Sequence, residues 1–223
     1  ISIFDLNNFI EESEKFPYHN YPLNQIGGIH LNLVEFMTDI HPIRNVREAE
    51  AYINRLSLFD ESFKATLEIL EEQRKQGIFP PKFVFDHVIR QLNEFLNYQS
   101  EKNPLKEVFL RKINELDLEK TISIELVSKL DLAIEESVKP GFKFLAKFMK
   151  DTLPEANIHH GAWSLPNGDN FYALRLKVYT TTNYSAEEIH NIGLKEVERI
   201  TARMQEIIIH LGYGKNINVG QLM

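Results

Sequence analysis

Residues 45–77 run NVREAEAYINRLSLFDESFKATLEILEEQRKQG, and this stretch decides the fold class. Asn45 is a helix N-cap residue with Glu48 three positions on, the pairing that satisfies free N–H groups at a helix start. Ala49, Tyr52, Ile53, Leu56, Phe59, Phe63, Leu67 and Leu70 then recur at intervals of three and four, which lays them along one stripe of a helix. Gly77 follows as a C-cap glycine, and Pro80-Pro81 keeps the helix from resuming at once. The spacing predicts one helix from Asn45 to about Gln76.

The same period extends outward on both sides. Phe83 to Tyr98 carries it through Val84, Val88, Leu92, Phe95 and Leu96, and Asn103-Pro104 sets a proline in the first turn of a helix over Leu105 to Leu116. Ile122 to Ser137 is helical, Pro140-Gly141 interrupts the next helix at its start, and Phe142 to Met149 is a short aromatic helix. Toward the N-terminus lie helices at Phe4 to Phe16 and Ile29 to Ile40, the second ending before His41-Pro42 because a residue preceding proline avoids the α region. Pro154 to Gly168 is the least periodic stretch. Ser185 to Leu211 closes the helical part, opened by a Ser185/Glu188 capping box, with Ile189, Leu194, Val197, Ile200, Met204, Ile207 and Ile208 on its apolar side. Neither regular strand alternation nor a solenoid repeat occurs. The expectation is an all-α, multi-helix array in one helical region over residues 1–223, with one exception. Leu165-Pro166-Asn167-Gly168 is a turn signal, and the largely apolar Phe171 to Leu176 after it predicts a short extended or hairpin element near residues 169–179.

Composition excludes several function classes. Hydrophobic residues make up 43% and charged residues 26%, enough apolar side chain for a sizeable core. The net charge is −7 and no dense Lys/Arg cluster occurs, so nucleic acid is not an expected partner. The chain has no cysteine, which removes disulfides, thiolate zinc sites and cysteine nucleophiles together. No run approaches the roughly 20 apolar residues of a membrane-spanning segment. The chain opens on Ile1 and stops at Met223 after a loop-like tail, so it is expected to be a piece of a longer protein.

Chemistry-bearing motifs are sparse. A helical zinc-peptidase site needs two histidines four residues apart with a glutamate after the first, so that both rings face one ion. The eight histidines (His19, His30, His41, His87, His159, His160, His190 and His210) offer no such spacing. His159-His160 is a local pair, but neighbouring side chains on a regular element diverge. Neither a Gly-x-Ser-x-Gly elbow nor a phosphate-binding glycine loop occurs, and Gly212-Tyr213-Gly214-Lys215 is a helix stop and turn. Glu187 and Glu188 complement a helix N-terminus, with a general-base role as the alternative. Tyr172 and Tyr179 are either hydroxyl donors to a ligand or core residues. Neither a catalytic residue nor a metal site nor a cofactor is expected within this chain.

Several segments taken in order resemble one bacterial family. They are Tyr21-Pro22-Leu23-Asn24-Gln25 with Gly27-Gly28; His41-Pro42-Ile43 with Ala49, Tyr52-Ile53 and Arg55-Leu56; and Gly77-Ile78 with Pro80-Pro81. The last runs from Leu165-Pro166-Asn167-Gly168 through Tyr172, Thr180-Thr181-Thr182, Glu187-Glu188-Ile189-His190 and Gly193-Leu194. The chain resembles, from about Tyr21 to Gly214, the domain-of-unknown-function family numbered eight-eight-five, itself similar to helical zinc metallopeptidases of the thimet-oligopeptidase and carboxypeptidase type. That resemblance implies the helical, substrate-cleft portion of a zinc-dependent peptidase, catalytically incomplete here, with the zinc-binding His-Glu segment of the full-length protein downstream. It implies a peptide substrate and makes Gly168, Tyr172, Tyr179 and His190 the candidate substrate-binding residues. It also points to the cell envelope or periplasm, with the cytoplasm left open. The competing reading is a non-catalytic helical binding or scaffold module. Oligomeric state stays open.

Overall fold

A computed structural model describes residues 2–156, 158–213 and 220. The expected stop at Gly214-Lys215 and the tail to Met223 lie outside the described residues. Among the described residues every regular element is helical and there is no strand or sheet, an all-α multi-helix array. It divides into two compact units, Pro17–Pro166 and a terminal unit of Ile1–Phe16 with Asn167–Met223.

The terminal unit contains α1 (Ile3–Lys15), α9 (Gly168–Thr180) and α10 (Ala186–His210). The larger unit contains α2 (Ile29–Glu35), α3 (Val46–Leu56), α4 (Phe59–Lys75), α5 (Lys82–Leu96), α6 (Pro104–Asn114), α7 (Lys120–Ala133) and α8 (Lys139–Thr152). In that unit α8 packs against α4 and α5, and α7 packs against α3 and α6. Its core is aromatic at the centre: Phe142 stacks on Phe95 at 3.8 Å between ring centroids and meets Phe63 at 5.1 Å. Burying rings of this size dominates core energetics, each contributing on the order of 2–3 kcal/mol from apolar area alone.

The predicted helix over Asn45–Gln76 is two helices. Asn45 does cap the first, its side chain accepting from the Glu48 N–H at 3.0 Å. After Leu56 the Ser57 hydroxyl and N–H both turn back to the Ile53 carbonyl, at 3.1 and 3.0 Å, and the chain bends before Phe59. The second helix gets its cap from far away, since Ser137 Oγ accepts from the Asp60 N–H at 3.0 Å. Gly77 ends α4 as expected, at φ +71° with the Ile78 N–H reaching the Gln73 carbonyl at 2.9 Å, a Schellman closure.

The predicted interruption at Pro140 is absorbed rather than broken. Ile134–Val138 forms a π turn that joins α7 to α8, with the Lys139 N–H bonded five residues back to the Ile134 carbonyl. A wider turn just ahead of the proline accommodates the ladder bond that Pro140 cannot donate. A second π turn, Phe36–Ile40, extends α2 to the point where His41-Pro42 was expected to stop it. Lys112 Nζ donates to the Thr38 and His41 carbonyls at 3.2 and 2.7 Å, placing a cation on the free carbonyl end of that helix.

The predicted extended element is also helical. Residues 168–180 form α9, which buries Gly168, Phe171 and Leu174. These recur at intervals of three, so one helical stripe is enough to seat the aromatic run that its apolar composition alone made look extended.

Candidate functional site

The segment from Asn167 to His190 has the most unusual backbone of the terminal unit. Both ends of α9 are held in the left-handed region by residues other than glycine, Asn167 at φ +54° and Thr181 at φ +54°. Asparagine tolerates that conformation; a β-branched threonine there is a true outlier that stores strain. The Thr180–Thr182 turn holds itself through its hydroxyls. Thr180 Oγ1 donates to the Leu176 carbonyl at 2.8 Å and accepts from the Thr182 N–H at 3.3 Å, with Thr182 Oγ1 2.8 Å away. Ser185 then opens α10 with the full capping box. Glu188 accepts from the Ser185 N–H at 2.7 Å and from the Ser185 hydroxyl at 2.8 Å, bonds that hold its carboxyl below the usual range, while Ser185 Oγ accepts from the Glu188 N–H at 3.2 Å.

The four predicted site residues do not converge on one point. Gly168 is buried in the first turn of α9. Tyr172 and Tyr179 sit seven positions apart on one face of that helix, 49% and 75% exposed, so neither is a core residue. Arg175 lies between them, its Nη2 donating to Tyr179 Oη at 2.6 Å and its Nη1 gripping both Glu12 oxygens at 3.0 and 2.9 Å. That ion pair ties α9 to α1, and sequence reasoning missed it because the partners are 163 positions apart. His190 is exposed in the second turn of α10. A shallow groove of about 530 Å³ between α1 and α9 is lined by Glu11, Lys15, Asn167, Asn170, Leu174 and Lys177 among others, and neither tyrosine lines it.

In the larger unit His19, His30 and His41 are buried. His30 Nε2 lies 3.0 Å from Gln91 Oε1, while the Gln91 amide donates to the Gln25 carbonyl at 3.1 Å. Gln91 Oε1 can only accept, so His30 carries its proton on Nε2. Burial holds its pKa below the ordinary histidine value. His159 and His160 turn to different aromatic neighbours, Trp163 at 5.0 Å and Phe83 at 5.2 Å, so the pair does not chelate as a unit. Among the described residues no three His, Cys, Asp or Glu side chains come together as a metal site, and these residues do not fit a zinc ion. Among them, too, no helix is long and apolar enough to cross a membrane.

Residues 4–223 match the model of the family described as bacterial protein of unknown function, DUF885. No curated protein matches the chain. Solved structures similar to it include one described as "the putative lipoprotein from Colwellia psychrerythraea", 29% identical with a TM-score of 0.80. The match covers 91% of this chain and 35% of that one, so the chain spans about a third of that protein's length. With a family match running from residue 4 to residue 223, this chain belongs to the bacterial family of unknown function DUF885.

Proposed function

We propose that this chain is the helical, substrate-cleft portion of a longer zinc-dependent peptidase of the cell envelope. The zinc ligands then lie outside the 223 residues, and no chemical step is assigned to the residues here. The observation that carries the reading is Thr181. A β-branched residue is held left-handed within the Thr180–His190 segment where the family-like residues cluster, and strain of that kind concentrates at ligand clamps and active sites. Tyr172 supports it as an exposed hydroxyl on α9, available to an extended peptide backbone. The envelope location draws on the relative described as a lipoprotein.

The test uses the full-length protein. It should contain about one zinc per chain, hydrolyse a mixed peptide pool, lose that activity to a chelator and regain it with zinc. Tyr172→Phe should lower turnover without changing the melting temperature. A reading frame that stops just after Met223, or a full-length protein with neither zinc nor hydrolysis, sinks the reading. Unchanged turnover in Tyr172→Phe sinks the site assignment alone.

A further inference from the structure

Val197, Ile200, Met204, Ile207 and Leu211 recur along α10 and its C-cap at alternating intervals of three and four. That is the spacing of a coiled-coil seam, which presents one straight line of apolar side chains to a facing helix. Among the described residues the seam is exposed: Val197 is 64% exposed, Ile200 46%, Met204 38%, Ile207 45% and Leu211 67%. A lone exposed leucine means little, but a contiguous line of five large apolar side chains marks an interaction surface. Ile192, Leu194 and Ile209 are also exposed on this helix, but singly and off that line. Its N-terminus carries the Ser185/Glu188 box, and Glu196–Arg199 and Arg203–Glu206 ion pairs run along one flank of the seam at 2.8 Å each. A polar flank beside an apolar seam is the arrangement that pairs helices and sets their register.

We infer that this seam docks a helix from the part of the longer DUF885 protein that lies outside these 223 residues. Three observations select that occupant. Alternating three-and-four spacing fits another helix crossing at a shallow angle rather than a sheet or an extended peptide. The solved relative matches nearly all of this chain yet has about two-thirds of its own length beyond the match. The family match continues through the seam to residue 223, so α10 is part of the family's shared structure rather than an appendage to it. The inference rests on the reading above that the chain is part of a longer protein, but not on zinc or on hydrolysis. If it holds, α10 is the element that couples the capped Thr180–His190 segment to the remainder of the protein.

The absence of native cysteine from this stretch supplies the probe. Met204→Cys is made both in the 223-residue chain and in the full-length protein, with Glu198→Cys on the opposite face of α10 as the control. Maleimide labelling of each site is followed by peptide mass spectrometry, at low concentration, with sedimentation to report the oligomeric state. Cys at 204 should label readily in the 223-residue chain. It should label on the order of 10-fold or more slowly in the full-length protein, because a docked helix must open before the thiol reacts. Cys at 198 should label readily in both. Equal, fast labelling at 204 in both proteins overturns the inference. So does protection at 204 in the 223-residue chain, which with a dimer by sedimentation assigns the seam to a second copy and with a monomer assigns it to a contact inside the chain. Zinc content and hydrolysis are read on the same full-length preparation. Protection without zinc or activity keeps the docking and discards the peptidase, whereas zinc and activity without protection do the reverse.

Discussion

Arg55 Nη1 donates to His41 Nε2 across 2.6 Å, while His41 Nδ1 donates to the Pro42 carbonyl at 2.8 Å. Both ring nitrogens are thus committed in the neutral imidazole, and the ring also stands edge-on to Tyr52, 5.2 Å away. A proton added at Nε2 would face a guanidinium that is already donating there.

That relationship sets a pH dependence. Burial, and then the Arg55 charge, hold the His41 pKa below the ordinary histidine value of 6.5, and burial does the same for His30. The unfolded chain therefore binds more protons than the folded one as pH falls below 6.5. Stability from these two groups is complete above that value and is lost as pH drops through their folded-state pKa values. Urea unfolding at about pH 7.5 and about pH 5.5 should show a lower midpoint at the acid value. His41→Gln should be less stable overall but less sensitive to that change. An identical pH response in the variant would contradict the assignment.

Gly141 lies in α8 against the Phe63 ring, and a methyl group added there would come within 2.6 Å of Phe63 Cδ2. Glycine-to-alanine in a helix ordinarily gains about 1 kcal/mol, whereas overpacking a core costs about 1–3 kcal/mol. Gly141→Ala should therefore lower the urea midpoint. Phe63→Leu combined with it should cost less than the sum of the two single changes, because the clash is shared. A single variant more stable than the parent would show that the ring can move aside.

Tyr52 is buried, and its hydroxyl donates to the Leu105 carbonyl at 3.0 Å, linking α3 to α6. Burial raises its pKa well above the ordinary tyrosine value, so the hydroxyl stays protonated throughout the working range. Tyr52→Phe keeps the ring and removes the bond, and should cost about 0.5–1.5 kcal/mol by denaturant titration. A neutral result would mean the carbonyl is satisfied without it.

Tyr172 predicts the opposite. Its half-exposed ring on α9 makes Tyr172→Phe a surface change, within about 0.5 kcal/mol of the parent by thermal unfolding. A fall in melting temperature of several degrees would place the hydroxyl in the packing rather than at the surface.

Helical period carried most of the fold, because residues such as Tyr52, Phe63, Val88 and Leu92 are buried on the stripes where their spacing put them. Two features lay beyond it. The break after Leu56 depends on a cap from Ser137, 77 positions along the chain, and local spacing carries no trace of a partner that distant. The helix over residues 168–180 was hidden because a run of large apolar residues has no period of its own, and strand and helix then look alike. Of the site, the Asn167 turn and the Ser185 cap were legible, since asparagine and serine have well-known local roles. The left-handed Thr181 was not, because threonine is a residue one would never choose for that conformation.

The π turn at Ile134–Val138 makes one rod of the chain from Lys120 to Thr152. Such a turn holds one residue more than the α-helical turn it replaces and takes it up as a local widening, so the helix beyond keeps the direction its side chains face. The rod packs on α3 and α6 ahead of the turn, and on α4 and α5 beyond it. Deleting a single residue there would leave both packed faces in place but tighten the turn ahead of Pro140, whose ring would then crowd the carbonyl four positions back. What the turn secures is room for that ring. The same proline one residue closer to an unbroken helix would act as a helix breaker, at a cost on the order of 3 kcal/mol.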